Sequence, residues 1–263
     1  MTERTYKGYL LDLDGTIYRG GEVIPEAVSF VEALKKKGIP YQYVTNNSSL
    51  TPEQLAEKLQ KMGLNAVPED FFTSSMAVAE TIEEIERKEK TVDKVKVLAI
   101  GEKGLKMALS EAGYELVEKA PASYVVVGID RQFTYEKMKQ ATLAIYGGAR
   151  FLSTNCDRAI PTEEGLVPGN GSLTASIAYA TRTEPLYVGK PEQAIIIRAL
   201  EKLGLRTDEV LLIGDNLETD IAAGGRSGVD TLLVYSGFSR EADLEGAEVQ
   251  PTYTVSSLAD WSI

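Results

Sequence analysis

The sequence of 263 residues predicts an α/β protein with a doubly wound parallel sheet and an inserted α/β domain. Two observations lead to this prediction. First, apolar strands alternate with amphipathic helices, an order typical of a parallel sheet with crossover helices. Second, small polar and charged residues follow four of these strands, at the edge where an open α/β sheet binds its ligands.

The first third of the chain contains two strand–helix pairs and a further helix. The apolar run that ends at Leu13 predicts a strand in the middle of a sheet, because its leucines favour burial. A proline in the first turn and a closing glycine are typical of the helix that follows. The predicted elements are a strand at 7–13, a helix at 25–38, a strand at 41–44, a helix that starts at 51 and stops at 63, and a helix at 75–88.

The rest of the chain continues the alternation. The stretch 161–171 is rich in Gly, Pro and Glu and predicts a long loop, which inside compact structure is usually functional or mobile. The predicted strands are at 96–100, 124–129, 150–153, 210–213, 231–234 and, at the edge of the sheet, within 253–263. The predicted helices are at 103–112, 135–145, 172–180, 194–203 and from 221 onward.

Composition excludes several classes of protein and site. With 28 Lys and Arg against 39 Asp and Glu, the net charge of −11 argues against nucleic acid or an anionic membrane as the main partner. The chain has no histidine, which excludes histidine-dependent triads, phosphohistidine chemistry and histidine-based metal sites. Its single cysteine, Cys156, cannot form a disulfide within the chain. Together with a polar start that lacks an apolar signal core, this predicts a cytoplasmic protein.

Two aspartates follow the first predicted strand. Asp12 and Asp14 repel each other at close range, and a divalent cation relieves that repulsion. Carboxylate oxygens suit Mg²⁺. Gly15 then allows a sharp turn whose backbone N–H groups face a ligand. The alternative is a strand followed by an Asp-rich turn without a ligand, and this motif alone does not decide between the two.

Polar clusters at four strand ends have complementary chemistry. They contain Asp12 with Asp14, Thr45 with Asn46, Lys190, and Asp215 with Asp220. Because the carboxyl ends of parallel strands lie along one edge of a sheet, we expect these clusters in one crevice. Carboxylates hold a metal or attack phosphorus, a hydroxyl binds phosphoryl oxygens, and a lysine supplies positive charge. Phosphoryl transfer needs this combination, because its catalysis depends mostly on charge neutralisation and positioning.

Four motifs carry a resemblance to a known family. DLDGT at 12–16, VTNN at 44–47, GKP at 189–191 and GDNLETD at 214–220 together resemble the haloacid dehalogenase superfamily of aspartate-based phosphatases. The resemblance implies that Asp12 is a nucleophile that forms an aspartyl-phosphate and that Asp14 is the general acid and then the base. It also implies that Thr45 and Lys190 bind the phosphoryl group. The second aspartate, at position 14, favours the phosphatases over the dehalogenases of the superfamily.

The resemblance also implies a metal site. Mg²⁺ would be the cofactor, held by the Asp12 carboxylate, the Asp14 backbone carbonyl and Asp215. Asp220 and Asn216 would support these groups without binding the metal directly. The implied ligands therefore all come from two of the four motifs, DLDGT and GDNLETD.

The spacing of the motifs locates the inserted domain. Asp14 and Thr45 are 31 positions apart, which one helix and one strand fill, whereas 145 positions separate Thr45 from Lys190. The surplus predicts a core of 1–80 and 184–263 that is interrupted by an α/β cap at 81–183. A large insertion here, together with VTNNSS and GKP, is similar to the NagD and 4-nitrophenylphosphatase group. Phosphomutases of the superfamily usually carry their cap in the earlier position, which disfavours that reaction.

Four other polar residues are predicted to contact substrate. Asn46 and Asn47 follow Thr45 directly, and the alternative is that they cap or turn the chain. Asn155 and Asp157 end a predicted cap strand, and the resemblance implies that their loop faces the leaving group.

Two further stretches and the cysteine have less specific interpretations. The strand end at 128–131 either meets substrate or packs the cap. The stretch 168–172 resembles a phosphate-binding nest, but it lacks the lysine of a Walker motif and is interpreted as the turn into a helix. Cys156 is interpreted as a small apolar residue, because the chain has no histidine to activate its thiol.

The predicted function is that of a Mg²⁺-dependent phosphatase of small phosphomonoesters, such as nucleotide or sugar phosphates, that acts through an aspartyl-phosphate. The alternative is a non-catalytic protein that binds or senses phosphate on the same fold, and the presence of Asp14 and Lys190 disfavours it. We expect a small phosphorylated metabolite as the partner, no nucleic acid and no membrane. The resemblance is also compatible with a homodimer.

Overall fold

Two compact units share the chain. The structure, a computed structural model, describes residues 5–90, 94–162 and 164–263. The core unit comprises the chain up to Thr45 together with Pro52–Phe72 and Lys190–Ile263, and the inserted unit comprises Asn46–Thr51 and Thr73–Gly189. The cap predicted at 81–183 falls inside the inserted unit, and its bounds stay a prediction.

Strands and helices alternate along most of the chain. The strands are β1 (Gly8–Leu11), β2 (Tyr18–Arg19), β3 (Glu22–Val23), β4 (Tyr41–Thr45), β5 (Phe71–Thr73), β6 (Lys96–Ile100), β7 (Glu115–Val117), β8 (Tyr124–Val127), β9 (Arg150–Ser153), β10 (Ala159–Thr162), β11 (Gly165–Pro168), β12 (Leu186–Tyr187), β13 (Val210–Gly214), β14 (Asp230–Val234) and β15 (Tyr253–Val255). The helices are α1 (Pro25–Lys37), α2 (Pro52–Lys61), α3 (Ser74–Glu89), α4 (Lys103–Glu111), α5 (Tyr135–Tyr146), α6 (Asn170–Thr181), α7 (Gln193–Leu203) and α8 (Ala222–Ser227). Among the described residues, none of the helices has both the length and the apolar character that a bilayer span requires.

The core unit is built on a six-stranded parallel sheet with the order β15-β14-β13-β1-β4-β5. The central strands β1 and β13 are fully buried and pair with Leu10 opposite Leu212, which explains their nearly uninterrupted apolar sequences. Because β1 also pairs with β4, the carboxyl ends of β13, β1 and β4 lie side by side. Residues that follow these three strands are therefore neighbours, although they are far apart in sequence.

Helix α1 begins and ends at the residues that the sequence indicates. Pro25 occupies its first turn, and Gly38 ends it with a φ of 64° and an N–H that donates to the Leu34 carbonyl. A left-handed residue at this position is strained unless it is glycine. The helix buries a stripe of apolar side chains that includes Phe30 and Val31.

The inserted unit has its own parallel sheet of five strands, with the order β12-β9-β8-β6-β7. The central strand β8 is buried along its whole length. Val125, Ala141, Phe151 and Ile177 belong to one cluster in the core of this unit. The α/β class is therefore confirmed, with one parallel sheet in the core unit and a second parallel sheet in the insertion.

One predicted loop is wrong. The described residues of the stretch 161–171 are mostly regular: β10 and β11 pair as an antiparallel hairpin, and α6 then begins at Asn170. Prolines and glycines in this stretch argued against strands. A two-stranded ribbon tolerates them, because each of its strands is an edge strand on which a missing N–H costs little.

Several short strands were not predicted at all. β5 and β7 have three residues each, too few to show a period. β2 and β3 form a hairpin directly after the DLDGT motif, with Tyr18 opposite Val23. The pair Gly20-Gly21 between these two strands is a known hairpin signal and would have identified it.

Candidate active site

A buried lysine connects three elements of the core unit. The Nζ of Lys190 donates to Asp12 Oδ1 at 2.5 Å, to Asp220 Oδ1 at 2.7 Å and to the Val44 carbonyl at 2.9 Å. The residue is only 2% exposed. Burial on its own lowers the pKa of Lys190, but the carboxylates of Asp12 and Asp220 raise it above its ordinary value. The ammonium therefore keeps its charge, as a buried cation with two anionic partners should.

Asp12 lies directly after β1, at the carboxyl edge of the core sheet. Its N–H donates to the Ile213 carbonyl at 2.9 Å, which continues the β1–β13 pairing by one residue and fixes the backbone. The side chain is buried. Burial raises the pKa of Asp12 well above its ordinary value, with Asp220 and Asp215 adding to the effect and Lys190 opposing it. The carboxylate is thus held in a buried place, beside two further carboxylates and one ammonium.

Asp215 follows β13 and is enclosed by backbone. Its Oδ2 accepts from the Phe238 N–H at 2.5 Å, and its carbonyl accepts from the Ser239 N–H at 3.0 Å. Glycines make this enclosure possible: a Cβ would lie 2.3 Å from Asp215 Oδ2 if built on Gly15 and 1.9 Å if built on Gly237. Burial, together with the charge of Asp220, raises the pKa of Asp215 to about 7.

Asp220 uses both of its carboxylate oxygens within the core unit. One accepts from Lys190, and the other accepts from the Asn216 N–H at 3.1 Å. Asn216 in turn accepts from the Glu218 N–H through Oδ1 and caps the helical turn Leu217–Ile221. These contacts position Lys190 and the loop after β13.

The carboxylates of Asp12, Asp215 and Asp220 form one buried group, with ligand oxygens within 4.8 Å of one another. Three carboxylates and one ammonium leave two negative charges without compensation when all are ionised. Burial is the main cause of the raised pKa values of Asp12 and Asp215, and this excess of negative charge adds to it. A divalent cation would remove the excess. The donors are oxygens alone, which suits a hard cation. The residues present therefore fit the metal site of the family, with an ion whose identity the group itself does not specify.

Asp14 differs from the other three aspartates because its side chain is exposed. It follows Asp12 by two residues, and its Oδ2 accepts from the Tyr18 hydroxyl at 3.0 Å. Burial, together with the charge of Asp14, raises the pKa of Tyr18, so that the phenol keeps its proton. The Lys58 ammonium lies 3.7 Å from the centroid of the Tyr18 ring, and burial lowers the pKa of Lys58 while Asp14 opposes that shift.

Thr45 is the last residue of β4 and is buried. Lys190 contacts the carbonyl of the preceding residue, Val44. Since β4 neighbours β1, Thr45 lies at the same sheet edge as Asp12. The structure thus brings together the predicted residues of four motifs within the core unit.

The other predicted substrate contacts belong to the inserted unit and make hydrogen bonds within it. Asn47 Oδ1 accepts from the N–H groups of Ser49 and Leu50 and from the Ser49 hydroxyl. Asn155 donates to the Asn46 carbonyl at 2.9 Å and accepts from the Asp157 N–H at 3.1 Å. The Asn46 amide lies 3.4 Å from both Asp157 carboxylate oxygens. Asn47 and Asn155 therefore hold their loops, and their contact with substrate stays a prediction.

Contacts in the inserted unit bear on two further stretches. Asp130 accepts from the Gln132 N–H and pairs with Lys137 at 2.7 Å, and Arg131 pairs with Glu102 at 2.8 Å, so these contacts hold the turn at 128–131, and its contact with substrate stays one of two interpretations. In the stretch 168–172, Pro168 ends β11 and helix α6 begins at Asn170, two residues before the predicted start.

Sequence reasoning did not identify Tyr18 and Lys58. Tyr18 follows the motif at a strand-pairing position, and only the hairpin signal at Gly20-Gly21 would have drawn attention to it. Lys58 lies on α2 as one lysine among several, and no local pattern distinguishes it.

Models of known families match both parts of the core. The haloacid dehalogenase-like hydrolase family matches residues 9–115, and a second HAD-hydrolase-like family matches residues 187–261. These ranges contain Asp12, Asp14, Thr45, Lys190 and Asp215.

Two named relatives match the chain over nearly its whole length. The 5′-nucleotidase YutF of Bacillus subtilis is 48% identical over 258 residues, which cover 98% of each chain. The acid sugar phosphatase of Staphylococcus aureus is 45% identical over 255 residues, or 97% of this chain and 96% of that protein.

Solved structures also match the chain over nearly its whole length. A thermostable double-mutant NPPase from Geobacillus stearothermophilus superimposes with a TM-score of 0.91 at 45% identity, covering 98% of this chain and 99% of that chain. The 4-nitrophenylphosphatase of Thermotoga maritima gives a TM-score of 0.88 at 31% identity, with 97% and 95% covered. The buried carboxylate–lysine group, the two parallel sheets and these matches agree, and the chain belongs to the haloacid dehalogenase-like hydrolases as a phosphoric monoester hydrolase of the NagD-like, 4-nitrophenylphosphatase kind.

Proposed function

We propose that this phosphatase hydrolyses small phosphorylated metabolites through an aspartyl-phosphate on Asp12, with Mg²⁺ as its cofactor. The observation that carries the proposal is the contact of Lys190 with Asp12 and Asp220 inside a buried group of three carboxylates. A nucleophilic carboxylate, a fixed cation and a cluster of oxygen donors are the parts that phosphoryl transfer uses.

In the first step, the Asp12 carboxylate attacks the phosphorus and the bond to the leaving oxygen breaks. Asp14 gives its proton to that oxygen as the bond breaks, so the alcohol departs neutral. Lys190 and Thr45 bind the phosphoryl oxygens and offset their charge.

In the second step, a water oxygen attacks the phosphorus of the aspartyl-phosphate. Asp14, now ionised, takes a proton from this water, and the bond between phosphorus and the Asp12 oxygen breaks. Inorganic phosphate leaves, and both aspartates return to their starting states. The exposure of Asp14 beside the buried Asp12 supports this division of roles.

The proposed ligands of Mg²⁺ are the Asp12 carboxylate, the Asp14 backbone carbonyl and Asp215. When bound, the ion supplies positive charge to the transferring phosphoryl group. Asp220 and Asn216 support the site: Asp220 orients Lys190, and Asn216 caps the turn after β13.

The proposed substrate class comes from the relatives, which are named as a 5′-nucleotidase and an acid sugar phosphatase. We propose nucleoside monophosphates and sugar phosphates as the substrates to test. Asn46, Asn47, Asn155 and Asp157 stay predicted contacts of the substrate. Loop-holding bonds support a structural role for Asn47 and Asn155.

A homodimer is proposed as well. Large apolar side chains of the inserted unit are exposed, with Tyr179 at 91% and Tyr146 at 66%, and the two line one groove. Exposed apolar patches of this kind favour association between chains. Light scattering on the wild-type protein and on Tyr179→Ala tests this, and a monomeric wild-type protein would contradict it. A cytoplasmic location and the lack of nucleic-acid and membrane partners stay predictions from composition.

The experiment that tests the proposed function is the release of inorganic phosphate from a panel of monoesters. The panel contains adenosine 5′-monophosphate, glucose 6-phosphate and 4-nitrophenyl phosphate, each assayed with Mg²⁺ and with EDTA. We expect Mg²⁺-dependent release. Release that EDTA leaves unchanged would contradict the metal assignment, and no release by the folded protein would favour phosphate binding without turnover.

A further inference from the structure

Tyr18 is a fully buried side chain whose hydroxyl meets the general acid and base of the proposed reaction. The Tyr18 hydroxyl donates to Asp14 Oδ2 at 3.0 Å, and the residue has no exposed surface. Asp14 itself is exposed. An exposed carboxylate on a loop samples several rotamers unless a neighbour restricts it, and Tyr18 is such a neighbour.

The backbone around Tyr18 is fixed by its own hydrogen bonds. The Leu13 carbonyl accepts from the N–H groups of Thr16, Ile17 and Tyr18, and the Gly15 N–H donates to the Tyr18 carbonyl at 2.7 Å. Tyr18 then pairs with Val23 in the β2–β3 hairpin. The ring therefore enters the core from a rigid turn, and its hydroxyl has a defined position relative to Asp14.

Lys58 adds a charge to the face of the same ring. Its ammonium lies 3.7 Å from the Tyr18 ring centroid. A cation on the ring face is attracted by the π-electrons. This contact holds the ring in place and thereby fixes the position of its hydroxyl.

We propose that Tyr18, braced by Lys58, is a positioning residue of the reaction that orients the Asp14 carboxyl group. By occupying Oδ2, Tyr18 directs the transferable proton to Oδ1, the oxygen that exchanges it with the leaving group and then with water. A carboxyl group that turns between two orientations would present the proton only part of the time. This inference rests on the proposed role of Asp14 and adds the group that holds it.

A comparison of esters with different leaving groups distinguishes a positioning role of Tyr18 from a structural one, because a structural role would change kcat/KM for all of them alike. A 4-nitrophenolate departs without a proton, whereas the alkoxide of a nucleoside or sugar requires one. The parameter kcat/KM reports only steps up to the formation of the aspartyl-phosphate. Loss of Asp14 orientation should therefore lower kcat/KM for alkyl phosphates and spare 4-nitrophenyl phosphate.

The test is Tyr18→Phe, which removes the hydroxyl and keeps the ring under Lys58. The substrates are 4-nitrophenyl phosphate and whichever of adenosine 5′-monophosphate and glucose 6-phosphate the wild-type protein hydrolyses faster. We expect kcat/KM for the alkyl ester to fall about 10- to 100-fold, a part of the usual contribution of general acid catalysis. For the aryl ester we expect a change of less than about threefold. A similar loss for both esters, or no loss for either, would overturn the proposal.

Three further variants keep the outcomes distinguishable. Tyr43→Phe is the matched control, because Tyr43 is also fully buried in the core unit and packs against Phe71, with no carboxylate of the site as its partner. It should leave the ratio of the two kcat/KM values unchanged. Lys58→Met should shift that ratio in the same direction as Tyr18→Phe, but by a smaller factor. If Tyr18→Phe does not fold, Lys58→Met still tests the proposal.

Asp14→Asn separates this inference from the proposed function. A wild-type ratio in Asp14→Asn would mean that the acid–base assignment of Asp14 is wrong. A second outcome is that Asp14→Asn lowers the ratio of alkyl-ester to aryl-ester kcat/KM, while Tyr18→Phe and Lys58→Met keep the wild-type ratio. Asp14 would then keep its role, and only the positioning role of Tyr18 would be overturned.

Discussion

The two parallel sheets of this protein differ in how the charges of buried carboxylates at their strand ends are compensated. At the ends of β1 and β13 in the core unit, Asp12 and Asp215 are buried, and burial raises the pKa of each. At the end of β8 in the inserted unit, the buried Asp130 pairs with Lys137 and caps its own turn. The carboxylates at the core sheet edge thus have a charge deficit, whereas Asp130 at the inserted sheet edge has a matched cation.

The difference shows how a shared topology separates chemistry from support. A buried group that is satisfied by its neighbours stabilises the fold and has little left to offer a ligand. A group of buried carboxylates with two negative charges in excess destabilises the folded chain. The same excess favours the binding of a cation, which a phosphoryl transition state also needs. Reactivity should therefore depend on the core sheet ends, and stability on the inserted sheet ends.

The largest expected effect is on turnover in Asp12→Asn. Asparagine has nearly the same shape but does not attack phosphorus, so we expect phosphate release to fall about 10³-fold or more, as for other removed nucleophiles. The measurement is phosphate release at saturating substrate, with a thermal melt to show that the variant is folded. Turnover within a few-fold of the wild-type rate would contradict the role of Asp12.

The next effect is on metal dependence in Asp215→Asn. Removal of this carboxylate should weaken the activation by Mg²⁺ about 100-fold, because it takes away a charged oxygen donor. The concentration of Mg²⁺ that gives half-maximal rate measures this. Asp70→Asn provides the control, since this residue lies outside the site and accepts from Tyr41 at 3.2 Å. If Asp215→Asn needs the same Mg²⁺ concentration as the wild-type protein, Asp215 is not a ligand of the ion.

A smaller effect concerns stability and pH in the metal-depleted protein. The Asp215 pKa of about 7 is above its ordinary value of 3.8, so between these values the folded chain retains a proton that the unfolded chain loses. Stability should therefore fall as the pH rises through this window, by about 1.4 kcal/mol for each pH unit between the two pKa values at most. Urea unfolding in EDTA at pH 5 and pH 7.5 measures the difference.

The Asp215→Asn variant sharpens this test. It lacks the titrating group, so its loss of stability between pH 5 and pH 7.5 should be smaller than that of the wild-type protein. Added Mg²⁺ should stabilise the wild-type protein more at pH 7.5 than at pH 5, because the cation binds the ionised carboxylate. The same pH dependence in both proteins would show that Asp215 does not carry it.

The smallest effect is in the inserted unit. Asn170 is 2% exposed, and its amide donates to Ser153 Oγ, Thr154 Oγ1 and the Asn155 carbonyl. Asn170→Ala should lower the free energy of unfolding by about 1–3 kcal/mol, because these acceptors lose a buried donor. The Asn170→Ala variant should still form the aspartyl-phosphate on Asp12. Loss of that intermediate in a folded Asn170→Ala protein would contradict the separation of chemistry from support.

Sequence reasoning was most effective where burial and spacing act together. Strands such as β8 and β13 are buried on both faces, so their unbroken apolar runs identify them. The site motifs are short and each follows a strand, so the parallel topology places Asp12 and Asp215 at neighbouring strand ends. Lys190 also contacts Asp12, 178 positions away, but the predicted reason is wrong: β12, the strand before Lys190, pairs with β9 in the inserted sheet and is not a strand of the core sheet.

Other features depend on tertiary contacts that leave no local pattern. The hairpin β10–β11 contains residues that usually prevent strands, and its pairing is visible only in the fold. The contact of Lys58 with Tyr18 joins α2 to a hairpin 40 positions earlier. The bonds of Asn47 to the Ser49 and Leu50 N–H groups are visible only in the fold, and the predicted contact of Asn47 with substrate stays a prediction.

The measurement that tests the account most directly is chemical trapping of the aspartyl-phosphate. The enzyme is quenched during turnover with Mg²⁺ and substrate, reduced with borohydride and analysed by peptide mass spectrometry. Reduction of an aspartyl-phosphate gives homoserine, and we predict homoserine at position 12 that is absent without substrate. Rapid turnover with no homoserine at position 12, or with homoserine at another aspartate, would contradict the assignment of Asp12 as the nucleophile.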